Sequence, residues 1–169
     1  MKALFLVAEG FEDLELFYPL YRLQEEGIEV VVAGSAKQPF EGKRGYKITP
    51  QKTFEEINPS DYGMLVIPGG KSPERVRLSP EAVGITKYFF EKGLAVGAIC
   101  HGIQVLISAG VMKGKRATCY EGVRDDLKAA GGIYGDKEVV VDKNLVTSRM
   151  PSDLPAFMRE LMKKAGLKL

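Results

Sequence analysis

"GLAVGAICHGIQVLISAG", residues 93–110, decides the fold. "LAVGAIC" is a short, nearly continuous apolar run of the kind that is buried on both faces of a parallel sheet, and "IQVLISAG" reads as a short apolar helix. A strand-to-helix turn therefore joins them. At that turn stand a cysteine and the only histidine of the chain, Cys100 and His101. Free cysteines are often small, buried and inert, so any functional reading has to come from the surroundings.

Outward from this stretch the same alternation repeats. Toward the N-terminus, "MLVIPGG" (64–70) is a second buried strand, and "PEAVGITKYFFEKG" (80–93) is the helix between the two. The chain opens with a strand over Lys2–Ala8. A helix follows in which Leu16, Leu20 and Leu23 recur at helical spacing and Gly27 is a C-cap, and then comes the strand "IEVVVAG". "FEGKRGYKITP" reads as a small exposed hairpin turning at Gly42 and Gly45. Toward the C-terminus come a strand in "KRATCY", a helix in "GVRDDLKAAGG", a hairpin turning at Lys143–Asn144, and a closing helix in "SDLPAFMRELMKKAG" with Ser152 as its candidate N-cap. Strands and helices in alternation predict a mostly parallel sheet with helices on both faces. There is no repeat, linker or low-complexity segment, so a single domain over 1–169 is expected.

Composition narrows the function. With 169 residues, 45% hydrophobic and 27% charged, the chain fills one core. A formal net charge of +2, with Lys and Arg interspersed among Asp and Glu, gives no phosphate-tracking surface, so nucleic acid is not an expected partner. The first apolar run is broken by acids after Ala8, too early for a signal peptide or a membrane span, and an intracellular, cytoplasmic protein is expected. Two cysteines outside any C-x-x-C pair and one histidine leave a zinc site without ligands, and neither metal nor cofactor is expected.

In an open parallel sheet, ligands bind outside the carboxyl ends of the strands. Those ends carry Glu9, Glu12 and Asp13 after the first strand, Gly69–Gly70 after the third, and Cys100–His101–Gly102 after the fourth. A cysteine at such an elbow is pushed out of the sheet toward helical N–H groups that favour the thiolate, the nucleophilic form. The alternative is an inert core cysteine. His101 is either its base or an exposed polar residue at a helix start. The glycine pair either brings backbone N–H groups up to a substrate oxygen, as an oxyanion hole requires, or makes a plain turn. Ser72 is a candidate cap for the helix that follows, with Pro73 at its first position. Glu12 either meets the sulfur, where a carboxyl is expected to keep its proton, or is a first-turn helix acid with Asp13 and Glu15.

"AICHG", "EGFEDLEL", "VIPGGKSPERVR" and "EGVRDDLKAAGG" together resemble the ThiJ/PfpI family of intracellular cysteine peptidases, of the class I glutamine amidotransferase-like superfamily, over essentially the whole chain. The resemblance implies a flavodoxin-like three-layer sandwich, Cys100 as nucleophile with His101 as partner, Glu12 hydrogen-bonded to sulfur, and the backbone of Gly70 and His101 as oxyanion hole. It implies that Tyr120 lines the pocket. It also implies that Glu74 completes a triad from a neighbouring subunit of a homo-oligomer, typically a hexamer. Ile103 departs from the proline that often follows CHG in the family. The expected activity is an ATP-independent peptidase. The alternatives are a deglycase or glyoxalase acting on methylglyoxal and its adducts, and a redox-sensing or chaperone-like stress protein using an oxidised Cys100.

Overall fold

The apolar runs lie side by side in one seven-stranded sheet. A computed structural model describes all 169 residues. In chain order the elements are β1 (Lys2–Leu6), α1 (Asp13–Glu25), β2 (Glu29–Gly34), β3 (Phe40–Glu41), β4 (Lys47–Ile48), β5 (Lys52–Thr53) and β6 (Met64–Ile67). They continue with α2 (Ser72–Val76), α3 (Pro80–Glu91), β7 (Ala95–Ile99), α4 (Ile103–Ser108), β8 (Arg116–Ala117) and α5 (Arg124–Ala129). The last four are β9 (Ile133–Tyr134), β10 (Val140–Asp142), β11 (Leu145–Ser148) and α6 (Leu154–Lys164). The sheet order is β10-β11-β7-β6-β1-β2-β5, and every pair is parallel except β10 with β11.

Strand periodicity splits the core in two. Along β1, Leu4 and Leu6 face a cluster with Ile85 and Phe89 of α3, Leu106 of α4 and Leu127 of α5. Ala3 and Phe5 face the other cluster, with Leu16, Leu20 and Leu23 of α1 and Phe157 and Leu161 of α6. The result is the expected three-layer, flavodoxin-like sandwich. Gly97 in β7 is required by this packing, because a Cβ there would stand 2.6 Å from Leu161 and 2.7 Å from Phe157. The helix around Leu16 runs through Pro19, which has no N–H to donate to the carbonyl of Glu15 one turn back.

Several local expectations are revised. "KRATCY" supplies only the two-residue β8, which pairs with β9 in a separate small sheet. Ser72 does not cap α2: its buried Oγ accepts the N–H of Ala8 at 2.8 Å, fastening the end of β1 to the loop after β6. Ser152 does not cap α6 either. The cap position falls on Asp153, whose carboxylate is engaged by Arg149, and Pro155 in the first turn brings no N–H to be capped. In the sheet, β6 lies between β1 and the elbow strand β7. The loop after β1 reaches the elbow only across Gly69 and Gly70, through bonds from Glu12 N–H to Gly69 O (3.1 Å) and Lys71 N–H to Gly10 O (2.8 Å). No helix is long and apolar enough to cross a membrane.

Candidate active site

Cys100 sits at the end of β7 with φ = 61°, in the left-handed region that a residue with a Cβ adopts only under constraint. The constraint comes from both sides. Gly102 fits closely under the turn, where a Cβ would meet Ile67 O at 2.5 Å, and Tyr120 N–H donates to Cys100 O at 3.2 Å. Held this way, the sulfur lies near the backbone N–H groups of His101 and Gly70, which favour its thiolate. Gly70 can present its N–H because φ = 76° and its α-carbon lies against the backbone of Gly10 and Glu12, where no side chain fits. His101 Nδ1 lies 3.2 Å from Cys100 Sγ, and Tyr120 stacks on the imidazole at 5.0 Å between ring centres and an interplanar angle of 24°.

The carboxyl at the sulfur is Glu15, which replaces Glu12 in the expected arrangement. Helix α1 begins at Asp13, which makes Glu12 its N-cap; the Glu12 carboxylate accepts the N–H of Leu14 at 3.4 Å and approaches Arg44 at 4.0 Å. One turn later, Glu15 points back toward the helix N-terminus, as helical side chains do. It is fully buried, at 0% exposure, accepts the N–H of Gly69 at 2.9 Å through Oε1, and lies close enough to Cys100 for each to shift the other's titration. Gly69 is what lets the two meet: a Cβ there would stand 2.5 Å from Glu15 Oε1 and 2.8 Å from Cys100 Cβ. The other Glu15 oxygen has no partner within the protein. The sequence held the signal, because the residue three after an N-cap is where a capping-box acid points back past the helix start.

Burial dominates the electrostatics. It raises Glu15 from 4.5 to about 8, against the Gly69 N–H and with a contribution from the Glu12 charge. Burial also pushes the Cys100 thiol up to about 12, the Glu15 charge adding to it and the His101 and Gly70 N–H groups opposing. This reverses the expected helix-induced lowering, since a six-residue helix cannot outweigh desolvation beside a carboxyl. The two groups titrate as a pair. With the proton on Glu15, the charge opposing the thiolate is gone and the carboxyl can donate to sulfur. His101 is shifted down by burial and by the Lys43 ammonium, with Glu74 opposing, so its imidazole is neutral at neutral pH.

These groups form the floor of a cavity of about 730 Å³, walled by Glu12, Lys43, Arg44, Lys71, Glu74 and Tyr120. Glu74 of the chain itself thus shares the cavity with His101. No group of three or more His, Cys, Asp or Glu side chains is placed to hold a metal ion. Cys119, 1% exposed, is packed in the core away from the cavity.

A strained elbow at the carboxyl edge of a flavodoxin-like sheet, with a carboxyl, an imidazole and two backbone donors converging on one sulfur, defines a class of α/β protein that presents a cysteine to its ligand. The chain belongs to the DJ-1/PfpI family, which it matches over residues 1–164. It is 53% identical over 163 residues to deglycase PfpI of Pyrococcus furiosus, covering 96% of this chain and 98% of the relative. It is 41% identical to protein/nucleic acid deglycase 2 of Escherichia coli, over 95% of each chain. Among solved structures, a two-domain protein of Anabaena variabilis with DJ-1/ThiJ/PfpI-like and ferritin-like domains superposes with a TM-score of 0.96 at 38% identity, covering 98% of this chain and 48% of that one.

Proposed function

We propose that the protein is an enzyme that removes methylglyoxal adducts from amines, guanidines and thiols, with Cys100 as nucleophile and Glu15 as the group that moves protons. The observation that carries this reading is the Glu15–Cys100 pair, a carboxyl poised near neutrality at about 8 against a buried sulfur. The deglycase names of the two relatives support it.

The adduct R–NH–CH(OH)–CO–CH3 loses its amine as Cys100 sulfur adds to the former aldehyde carbon, giving a hemithioacetal. A proton leaves that carbon and another is delivered to its neighbour, which turns the hemithioacetal into a lactoyl thioester. Water then cleaves the thioester, so that adduct and one water yield R–NH2 and lactate, with no oxidant or reductant consumed. Glu15 has the proton affinity for the transfer between adjacent carbons, since a general acid–base works best near the operating pH. The N–H groups of Gly70 and His101 stabilise the oxyanion that forms when water attacks the thioester.

Peptide hydrolysis is the second reading, favoured by the same donors and by the 3.2 Å Cys100–His101 contact. It needs a proton on the departing amine, and His101, shifted down by its surroundings, is a poor source unless a carboxylate engages its other nitrogen. The reading therefore includes a homo-oligomer in which Glu74 of the partner subunit orients His101. The test is lactate release from a methylglyoxal adduct of N-acetylarginine, with a peptide amide in parallel. Release by the wild type, abolished in Cys100→Ala and strongly slowed in Glu15→Gln, is expected. Amide cleavage without lactate release would replace the first reading with the second.

A further inference from the structure

The turn of β3 and β4 stands over the cavity, and the way it is held points to a task. Asp13, 3% exposed, is a buried carboxylate whose two oxygens are both spent on this turn: Oδ2 accepts the N–H of Arg44 at 2.7 Å and Oδ1 that of Tyr46 at 2.9 Å. Lys43 N–H donates to Phe11 O at 2.7 Å, and Gly42 lies so close to the Asp13 carboxylate that a Cβ would stand 2.6 Å from it. A buried carboxylate is costly unless it is bonded, so leaving this turn would strand Asp13 without its partners, and the turn is held in one place. What is fixed is a pair of cations at the cavity wall. Arg44 approaches Glu12 at 4.0 Å, whereas Lys43 makes no ion pair within the chain; Lys71, on the loop after β6, adds a third cation to the same wall. The ammonium of Lys43 is near enough to act on both Glu15 and His101.

We propose that this turn, clamped by Asp13, is an anion-recognition edge. Lys43, with Arg44 and Lys71 beside it, takes a carboxylate borne by the substrate a few bonds from the carbon that Cys100 attacks. The substrate class is then a carbonyl adduct of a free amino acid or of a C-terminal residue, in preference to one on an internal side chain. The inference rests on Cys100 as nucleophile. It makes Lys43 a specificity-determining residue and Asp13 a positioning residue that acts through the turn.

The test reads recognition without turnover. Cys100 is alkylated with iodoacetate and, in parallel, with iodoacetamide at one pH and low salt; the ratio of the two rates divides out the thiolate population. The wild-type ratio is expected to exceed that of Lys43→Gln by about three- to fivefold, the size of one solvent-screened charge pair, and Lys43→Arg should retain it. Added salt should shrink the difference. N-acetylglycine should protect Cys100 from iodoacetamide where N-acetylglycinamide does not, and Lys43→Gln should lose that protection. Asp13→Ala should lower the ratio as far as Lys43→Gln does and add nothing in the Lys43→Gln background, an outcome that a merely structural role for Asp13 would not give. If Asp13→Ala does not fold, Gly42→Ala displaces the same turn. Equal ratios in wild type and Lys43→Gln would overturn the proposal, as would a turn variant that keeps the wild-type ratio. Equal ratios with lactate release intact would count against the recognition edge alone; a wild-type ratio that depends on Lys43, with no lactate release, would support the edge and count against the proposed reaction alone.

Discussion

Replacing Glu15 by glutamine should make the protein more resistant to unfolding at alkaline pH relative to wild type, while disabling its chemistry. In the folded chain this carboxyl holds its proton up to about pH 8, whereas the unfolded chain releases it near 4.5. Between these values the folded state binds more protons, so raising the pH favours unfolding. The stability associated with the protonated carboxyl is complete below about pH 4.5 and is lost as pH rises through about 8. At 1.36 kcal/mol for each pH unit of that gap, the loss is on the order of 5 kcal/mol, of the order of a typical domain's whole margin. Glutamine cannot titrate, so the variant escapes it. The assay is guanidinium unfolding of wild type and Glu15→Gln at pH 5 and pH 8 under reducing conditions. The difference between the two proteins should move in favour of the variant by several kcal/mol between these pH values. A difference that is the same at both would mean that Glu15 titrates like a solvated carboxyl, and the argument for a proton-sharing pair would fall.

Other perturbations read other parts of the account. Gly69→Ala should keep the fold but cost about 10²-fold or more in turnover, because its Cβ would be forced against Glu15 Oε1 and Cys100 Cβ and a displacement of an ångström is enough for such a loss; near-normal rates would show that the pair tolerates separation. Gly97→Ala should destabilise the protein by about 1–3 kcal/mol through overpacking against Leu161 and Phe157, measured by denaturant unfolding. If Glu74 serves a neighbouring subunit, mixing inactive Cys100→Ala with Glu74→Gln and allowing exchange should restore activity; no restoration would place its action within its own chain.

The sheet was legible because buried parallel strands are short apolar runs, and those of β1, β2, β6 and β7 are bounded by glycines or acids. The elbow was legible because Cys100 and His101 fall at a boundary between strand and helix patterns. The two-residue strands β5, β8 and β9 carry no periodicity to detect, and they form only where tertiary neighbours supply a partner. Glu12 and Glu15 differ by one helical turn, and which of them reaches the sulfur depends on where α1 begins, the boundary that pattern reading places least well. Asp13 was visible only as another acid. Its meaning lies in a hairpin about 30 residues away that offers it two N–H groups. The Cys100 environment escapes pattern reading for a related reason: a short helix is evident from sequence, and a buried neighbouring carboxyl is not.

In the proposed reaction, substrate carbon becomes bonded to Cys100 sulfur while Glu15 moves the proton. Rapid quenching of the reaction with excess methylglyoxal, followed by peptide mapping with and without hydroxylamine, which cleaves a thioester to leave free thiol and a lactoyl hydroxamate, tests this most directly. A hydroxylamine-labile lactoyl group is expected on Cys100 in the wild type, none on Cys119, and far less on Cys100 in Glu15→Gln, where the proton transfer that makes the thioester is impaired. Lactate formed at the wild-type rate by Cys100→Ala, or with no group ever found on Cys100, would contradict it.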